Sequence, residues 1–337
     1  MERTRLIGDG TGLWREPRLL PSLVACGCVF GGLAGQAQTR SSLAGEEAAQ
    51  ALKKSIAAEE YNLSAGPIRF RTEAGVRLGY TDNVFISDEN RREDFIVNPE
   101  VVLGAWWPIS ELNTLRLSLG VGYEWYLNNT ALNSDAPLIN PDTELVFNVF
   151  VDDFRIRLHE KFSYQESLFY GTDERFFNFN DVGKFSRWYN LAGLEVVWDL
   201  NKAILSVGYD HENFIPVTSQ FEYMERASEW FDASAAFPIG DKVQVGLEAQ
   251  ASLHDYEQET ILNDSWRAAG GPFVDFTTEQ KISLRAGGGF DTARYDSAAT
   301  DDNDFDDYYA YVRIQRNAIV RPCPDGRAGT SARRQRQ

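Results

Sequence analysis

Histidine, serine, arginine and clustered carboxylates are the groups in this sequence able to act on a ligand, and their spacing limits what each can do. The histidines are His159, His211 and His254. Ser252 and His254 stand two residues apart, so on a strand they share one face. A nucleophilic serine needs a base in hydrogen-bond reach and a third group to orient that base. The face they share also carries Gln244, Glu248 and Gln250, and ordinary polar wall residues are the simpler reading. His159 falls in step with Arg155, Arg157 and Lys161. No catalytic residue is assigned, and the chain reads as a non-enzyme.

The acidic run TDDNDFDD, 300–307, has carboxylates in plenty. A calcium loop needs ligands at fixed positions, a turning glycine and usually a closing glutamate. The run has neither glycine nor glutamate, so it reads as a solvated loop. No HExxH, GxSxG or phosphate-cradling glycine loop occurs, and no metal or cofactor is expected.

The more informative set is a ladder of charges at every second position. Arg69, Arg71, Glu73 and Arg77 alternate with Ile68, Phe70, Val76 and Leu78 in PIRFRTEAGVRLGY. Arg116 and Glu124 repeat the pattern in TLRLSLGVGYEWY, as do Arg155, Arg157 and Lys161 in the stretch 154–165, with Glu100 among them. If these side chains line a pore, arginines facing acids set up a transverse field that biases ion passage. The competing reading is that they pair with one another in a narrow or plugged lumen.

Period two over fourteen residues is an extended strand with two opposed faces, longer than the five or six residues usual in soluble domains. Eleven more such runs follow: 94–107, 114–126, 143–152, 154–165, 185–199, 203–212, 226–237, 243–256, 264–277, 281–295 and 307–315. Short connections (PISELN, Asp152–Asp153, LNK, PIGDK, TTEQ) alternate strictly with long ones. Tight turns at one end and long loops at the other are what a transmembrane barrel predicts, and its tilted strands need about 9–11 residues to cross a bilayer. A sandwich has no reason to sort its loops this way. Trp106, Trp107, Trp125, Tyr126, Trp188, Trp198, Trp230, Tyr308 and Tyr309 sit near run ends, as an interfacial girdle requires. Glycines in GVGY (120–123) and AGGGF (286–290) suit the bending of a closing sheet. The fold expected is therefore all-β: a transmembrane antiparallel up-and-down β-barrel with about twelve visible strands.

Composition agrees. The net charge of −17 argues against binding nucleic acid through its phosphates. The apolar run 19–38 follows Arg15 and Arg18 and ends in small residues, the shape of a secretory signal cleaved after Ala37. LVAC also resembles a lipoprotein box, which would make Cys26 the acylated residue. Cys28 leaves with the signal, Cys323 is then alone, and no internal disulfide is expected. Residues 38–66 read as an arm or short helix with no partner signal, 67–315 as the barrel, and 316–337 as a disordered or frameshifted basic tail. Six arginines against one aspartate, with no aromatic, mark that tail, and twelve strands is then a lower bound.

GYTDNVF at 79–85, with YNLSAGPIRF before it and NPEVVLGAWWPISELNTLRLSLGVGYEWYL after it, resembles the β-barrel porin type 2 proteins of Gram-negative bacteria. The resemblance covers about residues 60–315 and departs at the tail. It implies an outer-membrane barrel, with some relatives associated with exopolysaccharide production. The expected function is a porin-like passive channel for small solutes, with outer-membrane lipid, lipopolysaccharide and possible polysaccharide as partners. The alternatives are a non-conducting envelope or exopolysaccharide-associated barrel, and a soluble secreted sugar-binding β-sandwich. The sequence sets no oligomeric state.

Overall fold

The computed structural model describes residues 43–57, 61–85, 91–170, 182–240, 242–258, 262–278, 282–296 and 304–316. The proposed signal, Cys26 and the tail beyond Arg316 lie outside them; Arg316 itself ends the last strand.

One helix, α1 (Gly45–Ala57), precedes fifteen strands. Three of these are short: β1 (Leu63–Ala65), β5 (Trp125–Tyr126) and β6 (Leu138–Ile139). The other twelve are the long runs the sequence announces. They are β2 (Ile68–Thr81), β3 (Asp94–Pro108), β4 (Thr114–Gly122), β7 (Glu144–Val151), β8 (Phe154–Tyr170) and β9 (Val182–Asp199). Then follow β10 (Ile204–Pro216), β11 (Arg226–Ile239), β12 (Val243–Tyr256), β13 (Ser265–Thr277), β14 (Ile282–Tyr295) and β15 (Phe305–Arg316). Each long strand pairs antiparallel with its sequence neighbours, giving one up-and-down sheet. Among the described residues no ladder joins β2 to β15. The free edge of β2 is partly covered: β1 pairs with Ile68–Phe70, and the Asn62 amide imitates a strand at Thr72, donating to its carbonyl (2.6 Å) and accepting from its N–H (3.0 Å).

The third run does not continue unbroken to Tyr126. The ladder from β3 stops at Glu100↔Gly122 and resumes at Val97↔Trp125 in the same register. Pro99 lies opposite the gap. Proline lacks one N–H, and that N–H would have pointed at one neighbour only. The β2–β3 ladder accordingly runs straight through Val76↔Pro99. Pro272 does the same in β13: its ladder to β12 is continuous at Leu247, while that to β14 skips from Gly270↔Phe290 to Phe273↔Gly287.

The two faces of the sheet are inverted relative to a water-soluble protein. Val76 and Val207 are 64% and 58% exposed, and Leu78, Phe231, Leu247, Val312 and Ile314 share the outer face. Arg155, His159, Asp210, Glu212 and Asp291 are buried on the other. Among the described residues no second sheet covers these charges, and side chains of neighbouring strands in the same sheet bury them. Among the described residues no helix is long and apolar enough to cross a membrane. The outer surface is a contiguous apolar band far beyond what a soluble monomer exposes, and it calls for lipid. Exposed aromatics edge the band: Trp107, Trp198, Phe237 and Phe276 at the short-turn end, and Tyr80, Phe95, Trp125, Trp266 and Tyr308 at the loop end. Trp106, Tyr126, Trp230 and Tyr309, grouped with the girdle by position, have the opposite parity and face inward, because adjacent strand residues alternate faces.

Val207 sits mid-band between Val196 and Ala233. Val207→Arg should cost about 2–4 kcal/mol of folding free energy in lipid vesicles, as expected for a cation at the bilayer midplane. Urea-dependent refolding into vesicles reads this directly.

Candidate functional site

The inner wall carries every candidate pore-lining residue, but in different states. On β2, Arg71 is tied to Glu73 (Nε to Oε1, 2.6 Å), while Arg77 lines a recess with Asn98 and Glu100. Glu124 accepts the Asn98 amide at 2.9 Å. Arg116 stands opposite Trp106 in the β3–β4 register. On β8 the cations are built into the wall. Arg155, 4% exposed, pairs with Glu195 at 2.9 Å, and Arg157 pairs with Glu144 at 2.8 Å and lies 3.9 Å from Glu195. Glu144, Arg157, Glu195 and Arg155 thus alternate in sign across β7, β8 and β9. Lys161 stands level with Glu144.

Further groups join this wall that were not among the candidate pore-lining residues. His159 Nε2 and Asp210 Oδ1 are 2.7 Å apart with side chains 1% and 5% exposed, although β9 lies between their strands. Gly193 stands level with both, and a Cβ there would overlap the Asp210 carboxylate and the His159 ring. Glu212 accepts from Tyr189 Oη (3.1 Å) and Arg226 (3.2 Å), and Asp291 pairs with Arg267. Tyr311 Oη donates to Glu248 at 2.6 Å across Gly287. Gly193, Gly208 and Gly287, all at inner-face parity, were the available signal: a side chain from a neighbouring strand lies over each.

The Ser252–His254 spacing resolves differently from a dyad. His254 Nδ1 lies 2.8 Å from Ser228 Oγ on the neighbouring strand, with the Trp230 ring edge-on to the imidazole. Ser228 is 0% exposed, so no substrate carbonyl can approach it, and the pair acts as wall packing.

Residues 43–57, within the stretch read from sequence as an arm or short helix without a partner signal, pack on the inner side of the sheet. Ala48, Leu52 and Ile56 of α1 recur every four positions as one stripe that Ala44, just before the helix, extends, with Ala49 beside it. Glu46 and Glu47 in the first turn and Lys54 in the last suit the helix dipole. At 1.5 Å per residue α1 is about 20 Å long. Ala48, Ala49 and Leu52 pack on Phe150 of β7 and Leu112 of the first short turn. Leu43 packs against Val197, Ile204, Ala236 and Phe273 from β9, β10, β11 and β13, and its N–H donates to Asp199 (2.8 Å). Lys53 Nζ donates to the carbonyls of Ser110 (2.9 Å) and Glu111. Ile56 lines a recess against β2, β3 and β4. The segment therefore lies across the inner side of the short-turn end, touching strands from both halves of the sheet.

No family model matches the chain, and no curated protein sequence matches it. Among solved structures the chain is similar to OmpTdeltaL8, a loop L8 deletion mutant of OmpT, described as an outer membrane protein of Vibrio cholerae. The identity is 9%, the match covers 73% of this chain and 99% of that one, and the TM-score is 0.34. The fold described above stands on the strand ladders of this chain itself.

At the loop end, Glu225 and Glu257 follow one another off β11 and β12, and the Glu257 N–H donates to the Glu225 carbonyl at 3.1 Å. Partial burial raises the Glu225 carboxyl above its ordinary value, helped by a hydrogen bond with Glu257 and repulsion from Glu257 and Glu222. A carboxyl raised on folding contributes stability while protonated and loses it as pH climbs through its folded pKa. Glu225→Gln should therefore leave stability unchanged at acid pH and raise it at neutral pH; a pH series of thermal unfolding midpoints checks this. Gly193→Val should separate His159 from Asp210 and destabilise on the order of 3 kcal/mol, because it strands a buried polar partner. Urea unfolding, with the wild type as reference, measures that loss.

Proposed function

We propose that the protein is an integral outer-membrane β-barrel that passes small solutes through a lumen stopped at its short-turn mouth by α1. The observation that carries this reading is the position of α1 across an inner wall made of charged and polar side chains, in a sheet whose outer face is apolar. A polar wall suits aqueous solutes, and an apolar outer band suits lipid and lipopolysaccharide. Short turns belong to the periplasmic side in this class, which puts α1 and the export-derived N-terminus on the same side. The likeness of GYTDNVF and its flanks to the β-barrel porin type 2 proteins supports the same reading. Heat-dependent migration of the membrane fraction on unboiled gels tests the barrel, and a protein that stays soluble and never shifts would sink it.

A sealed barrel, serving the envelope with its loops, is favoured by a different observation: the β7–β9 charges are already neutralised by one another. Planar-bilayer recordings separate the two. The full chain should show brief, infrequent openings, and a chain lacking residues 43–57 should conduct steadily at a several-fold higher open fraction. If the shortened chain inserts and folds yet stays silent, the sealed barrel is the right reading.

A further inference from the structure

We propose that a recess on the inner wall beside α1, centred on Arg69, binds a small oxyanion, a carboxylate or a phosphate group. The recess measures about 240 Å³ and lies at the short-turn end, between β2, β3, β4 and the Ile56 end of α1. The Arg69 guanidinium carbon lies 4.8 Å from the centre of the Tyr61 ring and 5.2 Å from that of Trp106. Stacking on aromatic faces fixes the plane of a guanidinium but uses none of its N–H donors. Among the described residues Arg69 has no carboxylate or carbonyl partner, unlike Arg71, which is neutralised by Glu73 two residues along. A planar, immobilised cation with its donor edge free matches the two oxygens of a carboxylate or phosphate. Arg116 and the Ser118 hydroxyl also line the recess, and Arg71 completes three guanidinium groups facing two carboxylates, Glu73 and Asp142. Glu73 is already taken by Arg71, and Asp142 is exposed, so the free donor edge of Arg69 is the least compensated charge in the lining.

This site stands whether or not the sheet conducts, since occupancy needs only the folded inner wall. The test is calorimetric titration of the purified full-length chain in detergent with inorganic phosphate, with succinate, and with glucose as the neutral control. One or both anions should bind saturably and glucose should not; which anion binds tells phosphate from carboxylate chemistry. Arg69→Gln should weaken binding at least tenfold. Arg69→Lys, which keeps the charge and loses the planar fork, should fall between it and the wild type. Arg77→Gln, on the same strand but outside the recess, should bind as the wild type does, and every variant should keep the wild-type circular dichroism. Absence of saturable anion binding overturns the proposal. So does an unchanged dissociation constant in a folded Arg69→Gln chain, or an equal loss in Arg77→Gln, which would mean a diffuse field in place of a site.

Discussion

A strand that turns its apolar side outward must find partners for its charges on the other side, and in this sheet the partners are other strands. The backbone makes no demand on those side chains, because each interior strand is hydrogen-bonded along both edges. Ion pairs can therefore form across strands without competing with secondary structure. Two charges buried together cost little net energy, whereas one left alone costs several kcal/mol. That asymmetry explains why Arg155, Arg157, Glu144 and Glu195 form a chain of alternating sign. It also explains why His159 reaches over β9 to meet Asp210.

The reach has a geometric condition. Neighbouring strands are about 4.8 Å apart, so a pair spanning two gaps must cross the strand between them. A residue without a side chain leaves that path open: Gly193 stands at the His159–Asp210 crossing, and Gly287 lies beneath the Tyr311 ring on its longer reach over β14 and β13 to Glu248. Glycine thus has a second role beside the bending expected of a closing sheet. Proline has a role of comparable economy. Pro99 and Pro272 each break one ladder and leave the other whole, so the sheet loses a bond without losing register.

Much of this was legible in the sequence. Period two gives strand identity and facing together, and the alternation of turn lengths gives the antiparallel order, so all twelve long strands fall where the pattern puts them. The extensions of β8 to Tyr170 and of β10 to Pro216 were not legible, because beyond Gln165 and Glu212 the alternation of apolar and polar residues fades. The facing of Trp106 and Trp230 was lost because they were grouped by position near a turn and not by parity. At the candidate site, parity puts Arg69 to Lys161 on one face of the sheet but cannot say which of them are paired. Pairing depends on register between strands: Arg157 meets Glu195 only because Arg155 lies level with Val197.

The docking of α1 lay beyond the sequence for a related reason. Its stripe of Ala44, Ala48, Leu52 and Ile56 announces an apolar face, but the receiving surface is assembled from Leu112, Phe150, Val197, Ile204, Ala236 and Phe273, scattered over five strands and a turn. Each of those residues alone reads as an ordinary strand residue. The composition of the stripe also bears on its strength. Burial stabilises by roughly 0.8 kcal/mol per methylene, so alanines contribute little and Leu43, Leu52 and Ile56 carry most of the attachment. Hydrogen bonds add to this, among them those of Leu43 to Asp199 and of Lys53 to the turn carbonyls. Ladders of eleven to seventeen residue pairs join the successive strands from β8 to β15. The sheet itself rests on its strand ladders, so α1 adds to this fold through side-chain burial and not through the backbone bonds that join the strands.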